Sequence, residues 1–246
     1  MTMEPIFISM PVYNEEEGIG NFIDEIIENF KGYKIHFVVI NDCSTDQTET
    51  ILNSKIENIS GMQTLDVLTN QTNIGHGQST MKGLNYALSN NAITIITLDG
   101  DGQFIGRDIR SAFEAFITED TDVLEGVRLH RTDPWFRKLL TFSIRIYIGL
   151  KTHRIPQDGN TPFRIYKNSV ATTFLNSINP MSLTPNIEIS IIARRKKLSI
   201  LQFPVQSIPR RGVSSAGTSW QQRFEFLPSR RFITFCKRAL IQQIRR

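Results

Sequence analysis

The feature that most constrains the fold is an alternation of two hydrophobic periodicities over the first half of the chain. Short apolar runs typical of buried strands occupy residues 6–12, 35–40, 64–68, 93–98 and 123–127. Between them, apolar residues recur at helical spacing over residues 15–30, 46–56, 78–88 and 109–117. Strands that alternate with helices through short connections predict an α/β fold with a mostly parallel central sheet flanked by helices.

Length and composition fit a single folded unit. The chain has 246 residues, of which 40% are hydrophobic and 21% charged, so it can bury a sizeable core and is neither disordered nor repetitive. Its two cysteines, Cys43 and Cys236, form no zinc-binding pattern and favour a reducing compartment. We find no secretory signal and no apolar run of roughly 18 residues, which predicts a cytoplasmic location. We expect a main domain over residues 1–215 and a basic tail over 216–246.

Polar side chains follow four successive predicted strands at the point where each strand ends. The carboxyl ends of parallel strands meet at one edge of a sheet, and ligands bind outside that edge. These residues are therefore expected to form one shared site. They are Asn14, Glu15, Asp42, Asp46, Asn73, Gly75, Asp99 and Asp101.

The segment Asp99-Gly100-Asp101-Gly102-Gln103 follows a buried strand. Two carboxylates at this spacing can approach one hard divalent cation, so we predict Mg²⁺ or Mn²⁺ bound by Asp99 and Asp101, with Gln103 as a neutral ligand. Such a cation would bridge a diphosphate and stabilise a leaving group. An ordinary Asp-Gly turn is the alternative. The sequence lacks the terminal Glu that a calcium-binding EF-hand loop requires. A haloacid-type phosphatase is also disfavoured, because it would carry Thr or Val at position 103, which is Gln here.

Several of the strand-end residues also have simple local interpretations. Ser44 or Thr45 is expected to cap the helix that begins near Asp46, which leaves Asp42 free to accept hydrogen bonds from a base or ribose. The glycines near His76 do not have the spacing of a dinucleotide fingerprint and follow the third strand rather than the first. His76 is therefore expected to be a loop residue rather than a catalytic base.

Taken in order, these motifs resemble those of glycosyltransferase family 2, whose fold is GT-A. They are Pro11-x-Tyr13-Asn14-Glu15, Asn41-Asp42-x-Ser44-x-Asp46-x-Thr48, Asn73-x-Gly75 and Asp99-x-Asp101-x-Gln103. Within the family, the sequence is most similar to the dolichyl- or polyprenyl-phosphate mannose or glucose synthases.

Later segments carry the same resemblance, which covers roughly residues 5 to 215. Residues 158–164 resemble the branch motif D-x-x-x-G-F-R, with Pro162 in place of the glycine. Pro185-Asn186-x-Glu188 resembles a helix of that branch, and residues 210–214 resemble R-x-x-G-x-S with one residue fewer. The shorter spacing leaves open whether Arg210 or Arg211 reaches the diphosphate.

The resemblance implies an inverting, metal-assisted enzyme that moves a hexose from a GDP- or UDP-sugar to a polyprenyl phosphate. It implies catalytic roles for Asp101, Asp158 and Arg164. It also implies a set of residues that contact the donor nucleotide and its diphosphate. That set is Pro11, Tyr13, Asn14, Glu15, Asp42, Asp46, Asp99, Gln103, Arg210, Arg211 and Ser214.

Two segments suggest contact with a membrane. Residues 135–150 would form a helix that is apolar except for a polar stripe, and the tail would form a basic amphipathic helix. Both are too short to span a bilayer, so they indicate a peripheral protein, and docking on the domain is the alternative for each. The resemblance further implies that Arg137 and Thr141, with Arg128 as a second candidate, grip the acceptor phosphate.

Two other functions stay open from the sequence. A glycan or small-molecule hydroxyl acceptor would need a carboxylate base, for which Asp158 and Glu188 are the candidates. The lack of a clear base favours a phosphate acceptor. A nucleotide-sugar-binding protein without turnover is the third hypothesis, and the intact Asp99/Asp101 pair argues against it. Only the basic tail suggests nucleic acid, and no DNA- or RNA-binding motif accompanies it, so we expect no nucleic-acid partner.

Overall fold

A computed structural model describes residues 5–129, 133–211 and 228–244, and its centre is a mixed β-sheet. Within this part of the chain the sheet has seven strands in the order β3-β2-β1-β4-β6-β5-β7. Strands β1 to β4 run parallel to one another, as do β5 and β7, whereas β6 is antiparallel to both neighbours. The prediction of a mostly parallel sheet is confirmed. The strands are β1 Ile6–Val12, β2 Ile35–Asn41, β3 Gln63–Thr69, β4 Thr94–Thr97, β5 Val123–Leu129, β6 Arg164–Lys167 and β7 Ile200–Gln206.

Helices cover both faces of the sheet, as predicted. They are α1 Ile19–Asn29, α2 Thr48–Asn58, α3 His76–Ser89, α4 Gly106–Thr118, α5 Trp135–Thr152, α6 Asn168–Ser177, α7 Pro185–Arg195 and α8 Arg230–Ile244. Because successive residues of a strand point to opposite faces, β1 feeds both layers of the core. Ile8 and Met10 join the layer under α1 and α4, and Phe7 joins the layer under α3 and α6.

The first two helices begin later than their hydrophobic periodicity predicted, because the residues before them bind each other. The backbone N–H of Glu15 donates to Thr48 Oγ1 over 2.8 Å, and that of Glu16 donates to Asp46 Oδ2 over 3.2 Å. Asp46 Oδ1 also accepts from the backbone N–H of Thr48. This network joins the ends of β1 and β2 and delays α1 to Ile19 and α2 to Thr48.

Helix α8 packs on the domain. The ring of Phe232 on α8 lies 5.3 Å from that of Phe136 on α5, and Gln242 accepts a hydrogen bond from the backbone N–H of Leu183. The described part of the tail therefore docks on the domain, which is one of the two alternatives stated above. The expected domain boundary at residue 215 lies outside the described residues. No helix built from the described residues is long and apolar enough to cross a membrane.

Candidate active site

A cleft of about 710 Å³ lies along the carboxyl ends of β1, β2 and β4. The first turn of α3, the residues before α7, the segment after β7 and one side of α8 complete its walls. Ten residues predicted for the site line this cleft, so the structure brings the polar strand ends together as expected. They are Pro11, Tyr13, Glu15, Asp42, Asn73, Gly75, Asp99, Asp101, Arg128 and Arg210.

Close backbone packing shapes two walls of the cleft. A Cβ on Gly100 would lie 2.3 Å from Val12 Cγ1, so the ends of β4 and β1 can approach only with glycine there. A Cβ on Gly77 would lie 2.5 Å from the backbone oxygen of Ser182. That contact seats the start of α3 against the segment that precedes α7.

His76 holds one of the two paired carboxylates. Its Nε2 lies 2.6 Å from Asp99 Oδ1, and His76 is the first residue of α3 rather than a loop residue as predicted. Burial raises the pKa of Asp99, but the charge and hydrogen bond of His76 outweigh it and keep that pKa below its ordinary value. His76 was missed as a site residue, although its place after the third strand was an available signal.

The pKa of Asp101 is shifted in the opposite direction from that of Asp99. Burial and the nearby negative charge of Asp99 raise the pKa of the Asp101 carboxyl to about 7. The backbone N–H of Gln103 donates to Asp101 Oδ1 over 3.1 Å. A divalent cation between the two carboxylates would relieve this repulsion.

The donor atoms present fit a divalent cation whose coordination shell is completed by a bound substrate and by water. Mg²⁺ is commonly bound by one or two carboxylates plus substrate phosphates and water, which matches Asp99 and Asp101 in an open cleft. Within the described ranges no group of three or more His, Cys, Asp or Glu side chains is arranged to hold a metal. Gln103 does not fit the predicted role, since it is not among the residues that line the cleft and its Nε2 is bound to the backbone oxygen of Ile208, 3.4 Å away.

The segment after β7 crosses the cleft and places one arginine in it. Arg210 Nε donates to Glu15 Oε2 over 2.9 Å, and its Nη2 donates to the backbone oxygen of Asn14 over 2.8 Å. Burial raises the pKa of Glu15 to about 8, although Arg210 opposes that rise. Arg211 points elsewhere, with its Nε on the backbone oxygen of Gly102. Of Arg210 and Arg211, it is therefore Arg210 that lines the cleft, and Ser214 lies outside the described residues.

Three residues predicted to contact the donor have side-chain oxygens that accept hydrogen bonds from backbone N–H groups. They are Asn14, Asp42 and Asp46. Asp42 accepts hydrogen bonds from the backbone N–H groups of Ile74 and Gly75 and from Asn70 Nδ2, all within 2.9 Å. The expectation that its carboxylate is free was wrong, because the loop before α3 folds onto it. Asn14 accepts from the backbone N–H of Thr45, and Ser44 accepts from that of Asn14, so neither Ser44 nor Thr45 caps α2.

Both candidate bases are committed to other groups. Asp158 is 4% exposed and binds Arg128 through two hydrogen bonds of 2.7 and 3.1 Å. Glu188 accepts from Ser182 Oγ and from Gln243 Nε2 on α8. Arg128 lines the cleft, whereas Asp158 does not, so Asp158 contributes by holding the Arg128 guanidinium in place.

Arg164 is placed in the core rather than at the site. It is fully buried, and its Nη1 lies 2.7 Å from Glu125 Oε1 on β5. Its Nη2 donates to Ser190 Oγ and to the backbone oxygens of Gly159 and Asn186. The expected catalytic role does not fit this position, because the guanidinium cannot touch a ligand in the cleft without leaving its core partners.

Arg137 and Thr141 lie one turn apart on α5, as predicted, but neither lines the cleft. Arg137 Nη1 lies 3.7 Å from Asp133 Oδ1. Two residues that line the cleft and were not predicted, Phe235 and Arg238, come instead from α8. No local sequence pattern marks these two residues as part of the site, because only the packing of α8 brings them to the cleft.

The sheet and the residues along its cleft agree with the motifs found in the sequence. The family model for glycosyltransferase family 2 matches residues 7–176, and the chain belongs to that family. It is a glycosyltransferase with the GT-A fold.

Relatives of this chain include proteins named for lipid-phosphate acceptors. It is 26% identical over 231 residues to the uncharacterized protein MJ1222 of Methanocaldococcus jannaschii, covering 91% of this chain and 90% of that one. It is also 26% identical over 211 residues to the undecaprenyl-phosphate 4-deoxy-4-formamido-L-arabinose transferase of Edwardsiella ictaluri, covering 85% of this chain but 62% of that one.

A solved structure shares the fold. The mannosyltransferase PcManGT of Pyrobaculum calidifontis, solved with GDP-Man and Mn²⁺, superposes with a TM-score of 0.60 at 17% identity. The match covers 86% of this chain and 59% of that one.

Proposed function

We propose that this protein is an inverting hexosyltransferase that takes its sugar from a GDP- or UDP-hexose and gives it to a polyprenyl phosphate with the help of a divalent cation. The observation that carries the proposal is the Asp99/Asp101 pair in one cleft with Arg128 and Arg210. Carboxylates for a cation and guanidinium groups for phosphates are what a reaction between a diphosphate donor and a phosphate acceptor requires.

At the donor end, the ends of β1 and β2 would hold the base and ribose. Pro11, Tyr13 and Glu15 line the cleft there, next to Asp42 and the backbone that it organises. Arg210 would turn to the diphosphate. The GDP-Man and Mn²⁺ bound by the Pyrobaculum enzyme support this class of donor.

Asp99 and Asp101 would hold Mg²⁺ or Mn²⁺. The cation, when bound, supplies positive charge against the diphosphate as that group departs. His76 would keep the Asp99 carboxylate oriented, and the backbone N–H of Gln103 would do the same for Asp101. Gln103 itself would act through its backbone rather than as a ligand.

A phosphate acceptor fits the chemistry of the cleft better than a hydroxyl. A hydroxyl would need a carboxylate base, and both candidates are engaged, Asp158 by Arg128 and Glu188 by Ser182 and Gln243. A phosphate is already an anion and needs positioning and charge neutralisation instead. The undecaprenyl-phosphate transferase of Edwardsiella supports this acceptor, although the chain spans only 62% of its length.

In the proposed reaction, an acceptor phosphate oxygen attacks the anomeric carbon from the face opposite the donor diphosphate. The new carbon–oxygen bond forms as the bond to the diphosphate breaks, and the nucleoside diphosphate leaves with the electron pair. A single displacement of this kind inverts the anomeric configuration. Arg128, held by Asp158 through two hydrogen bonds, would orient the incoming phosphate.

The exposed face of α5 would rest on a membrane that holds the lipid acceptor. Five apolar side chains at helical spacing form an apolar stripe on this helix, with between 37% and 76% of each exposed. The stripe consists of Trp135, Leu139, Phe142, Ile146 and Leu150. An amphipathic helix with such a face lies in the headgroup region of a bilayer. We place the enzyme on the cytoplasmic face, where nucleotide sugars would reach it.

The test is a competition between acceptors. Purified protein is given labelled GDP- and UDP-hexoses with Mn²⁺, and an equal mixture of short-chain polyprenyl phosphate, the matching polyprenol and an oligosaccharide. We expect label only in the polyprenyl phosphate product, with the anomeric configuration opposite to that of the donor. Label in the oligosaccharide or the polyprenol would move the assignment to a hydroxyl acceptor. Donor binding without any product would favour a binding protein.

A further inference from the structure

Helix α8 contributes two side chains directly to the cleft. Gln242 and Gln243 fasten it to the residues before α7, through the backbone of Met181 and Leu183 and the hydroxyl of Thr184. Phe232 packs against Phe136 at the start of α5. With the helix held in this way, Phe235 and Arg238 become part of the cleft wall.

Among the described residues, three arginines line the cleft, and they differ in whether a carboxylate already pairs with their charge. Arg128 is paired with Asp158, and Arg210 is paired with Glu15. Arg238 is exposed, and within residues 5–129, 133–211 and 228–244 no carboxylate lies within 4.0 Å of its guanidinium. Arg238 therefore offers the cleft a full positive charge and donors that are not already used by the described residues.

The position of Arg238 on α8 sets the direction from which it acts. It lies three residues after Phe235 and four before Gln242, so the three side chains share one side of the helix. That side meets the cleft at Leu183, next to α7 and α5. The base and ribose end of the cleft is built instead by β1 and β2. Arg238 thus lines the cleft from a wall that β1 and β2 do not build.

We propose that Arg238 binds the phosphate of the acceptor and that Phe235, one turn away, contacts the first apolar carbons attached to that phosphate. This inference rests on the proposed function, since it names the residues of α8 that recognise the same acceptor. A cation beside an aromatic ring suits a ligand in which a phosphate is joined directly to a hydrocarbon. Free inorganic phosphate would engage only the cation.

The test compares Arg238→Gln with Lys237→Gln, which removes the same charge from the adjacent, exposed position of the same helix. Binding of short-chain polyprenyl phosphate, the matching polyprenol, inorganic phosphate and GDP or UDP with Mn²⁺ is measured without turnover. Transfer kinetics are then measured on the same proteins. We expect Arg238→Gln to raise the Kd and KM for polyprenyl phosphate about 10- to 100-fold, the size of a lost hydrogen bond between charged groups. Lys237→Gln should stay within about twofold of the wild type, and nucleotide affinity should be unchanged.

Other results overturn the inference in distinguishable ways. Equal binding of polyprenyl phosphate by wild type and Arg238→Gln removes Arg238 from the acceptor site while leaving the proposed function intact if transfer persists. A selective loss of nucleotide affinity would assign Arg238 to the donor. Wild-type protein that binds inorganic phosphate as tightly as polyprenyl phosphate would exclude the lipid contact. Binding that depends on Arg238 but leads to no transfer contradicts the proposed function and not this inference.

Discussion

At the scale of single residues, the site is organised by a repulsion between two neighbouring carboxylates. Asp99 is kept ionised by His76, and its charge together with burial raises the pKa of Asp101 to about 7. Two half-buried carboxylates that repel each other are a cost to the folded protein unless a cation or a proton compensates their charge. Under the proposed function, a cation that binds together with the donor diphosphate would supply this compensation.

Replacing Asp101 by Asn should remove metal-dependent transfer and keep the fold. The amide retains the shape of the side chain but cannot neutralise a cation, and the loss of charge stabilisation is expected to lower kcat by about 100-fold or more. The unfolding temperature should be unchanged or higher, since repulsion from Asp99 is removed. The same substitution at the exposed Asp24, which pairs with Lys55 on the surface, is the control. Full activity in Asp101→Asn would exclude the metal assignment.

Removing the imidazole of His76 should weaken the metal site without removing it. A group that orients a metal-binding carboxylate typically contributes about 10- to 100-fold to metal affinity, so His76→Ala should raise the Kd for Mn²⁺ by about tenfold in the presence of nucleotide diphosphate. Gln78→Ala is the control, because Gln78 lines the cleft from the same helical turn. If both variants bind Mn²⁺ as the wild type does, His76 does not position Asp99.

At the scale of elements, β5, β6 and α7 are joined by one buried network of charges. Glu125 on β5 accepts hydrogen bonds from Arg164 on β6 and from Arg194 on α7. Burial would raise the pKa of Glu125, but the two arginines reverse this and hold it below its ordinary value. Arg164 also binds the backbone oxygen of Gly159, beside Asp158, so the network fixes the loop that orients Arg128.

Substituting Glu125 by Gln should destabilise the protein by about 3–5 kcal/mol at pH 7, because two buried arginines lose their counter-charge. The contribution of a carboxylate with a lowered pKa is present above its ordinary pKa of 4.5 and is lost as the pH falls below it. Urea unfolding at pH 7 and pH 4 should therefore show a smaller acid loss in the variant than in the wild type. Glu114→Gln, which breaks a surface pair with Arg110, should cost under about 1 kcal/mol. Equal stabilities would contradict the role of the network.

The apolar stripe of α5 belongs to the same scale. Changing Leu139 and Phe142 to Gln should reduce binding to anionic vesicles about tenfold or more, because each side chain would otherwise be removed from water. Transfer to a short-chain acceptor in detergent should persist. Ile56 and Ile117, exposed on α2 and α4, give the control double variant. Vesicle binding that survives in the α5 variant would assign the membrane contact to another surface.

Elements with strong periodicity were predictable, and the exceptions have physical reasons. The strands β1 to β5 and the helices between them follow their hydrophobic patterns, because each buries a face of the expected period. The antiparallel β6 was not predicted, since its two apolar residues are flanked by Arg164 and Lys167, and Arg164 is buried by its ion pair with Glu125 rather than by a hydrophobic pattern. Helices α1 and α2 begin later than predicted because the side chains of Asp46 and Thr48 accept hydrogen bonds from the backbone that precedes α1.

At the scale of the whole molecule, the cleft depends on segments that return from far along the chain. Arg210 meets Glu15 across 195 positions, and Gln103 meets Ile208 across 105. Motif order predicted which strand ends meet, and family resemblance predicted that an arginine comes back to them. Side-chain partners such as Asp42 with Gly75, or Arg128 with Asp158, could not be predicted because they depend on the packing of loops rather than on local pattern.

The most direct test of metal-assisted transfer to a lipid phosphate is the formation of labelled lipid from a labelled nucleotide hexose. Product is measured with Mn²⁺ or Mg²⁺ and with EDTA, each in the presence of short-chain polyprenyl phosphate or the matching polyprenol. We expect labelled lipid only when donor, cation and polyprenyl phosphate are all present. Undiminished transfer in EDTA, or equal transfer to the polyprenol, would contradict the assignment of Asp99 and Asp101 to a cation and of the acceptor to a phosphate.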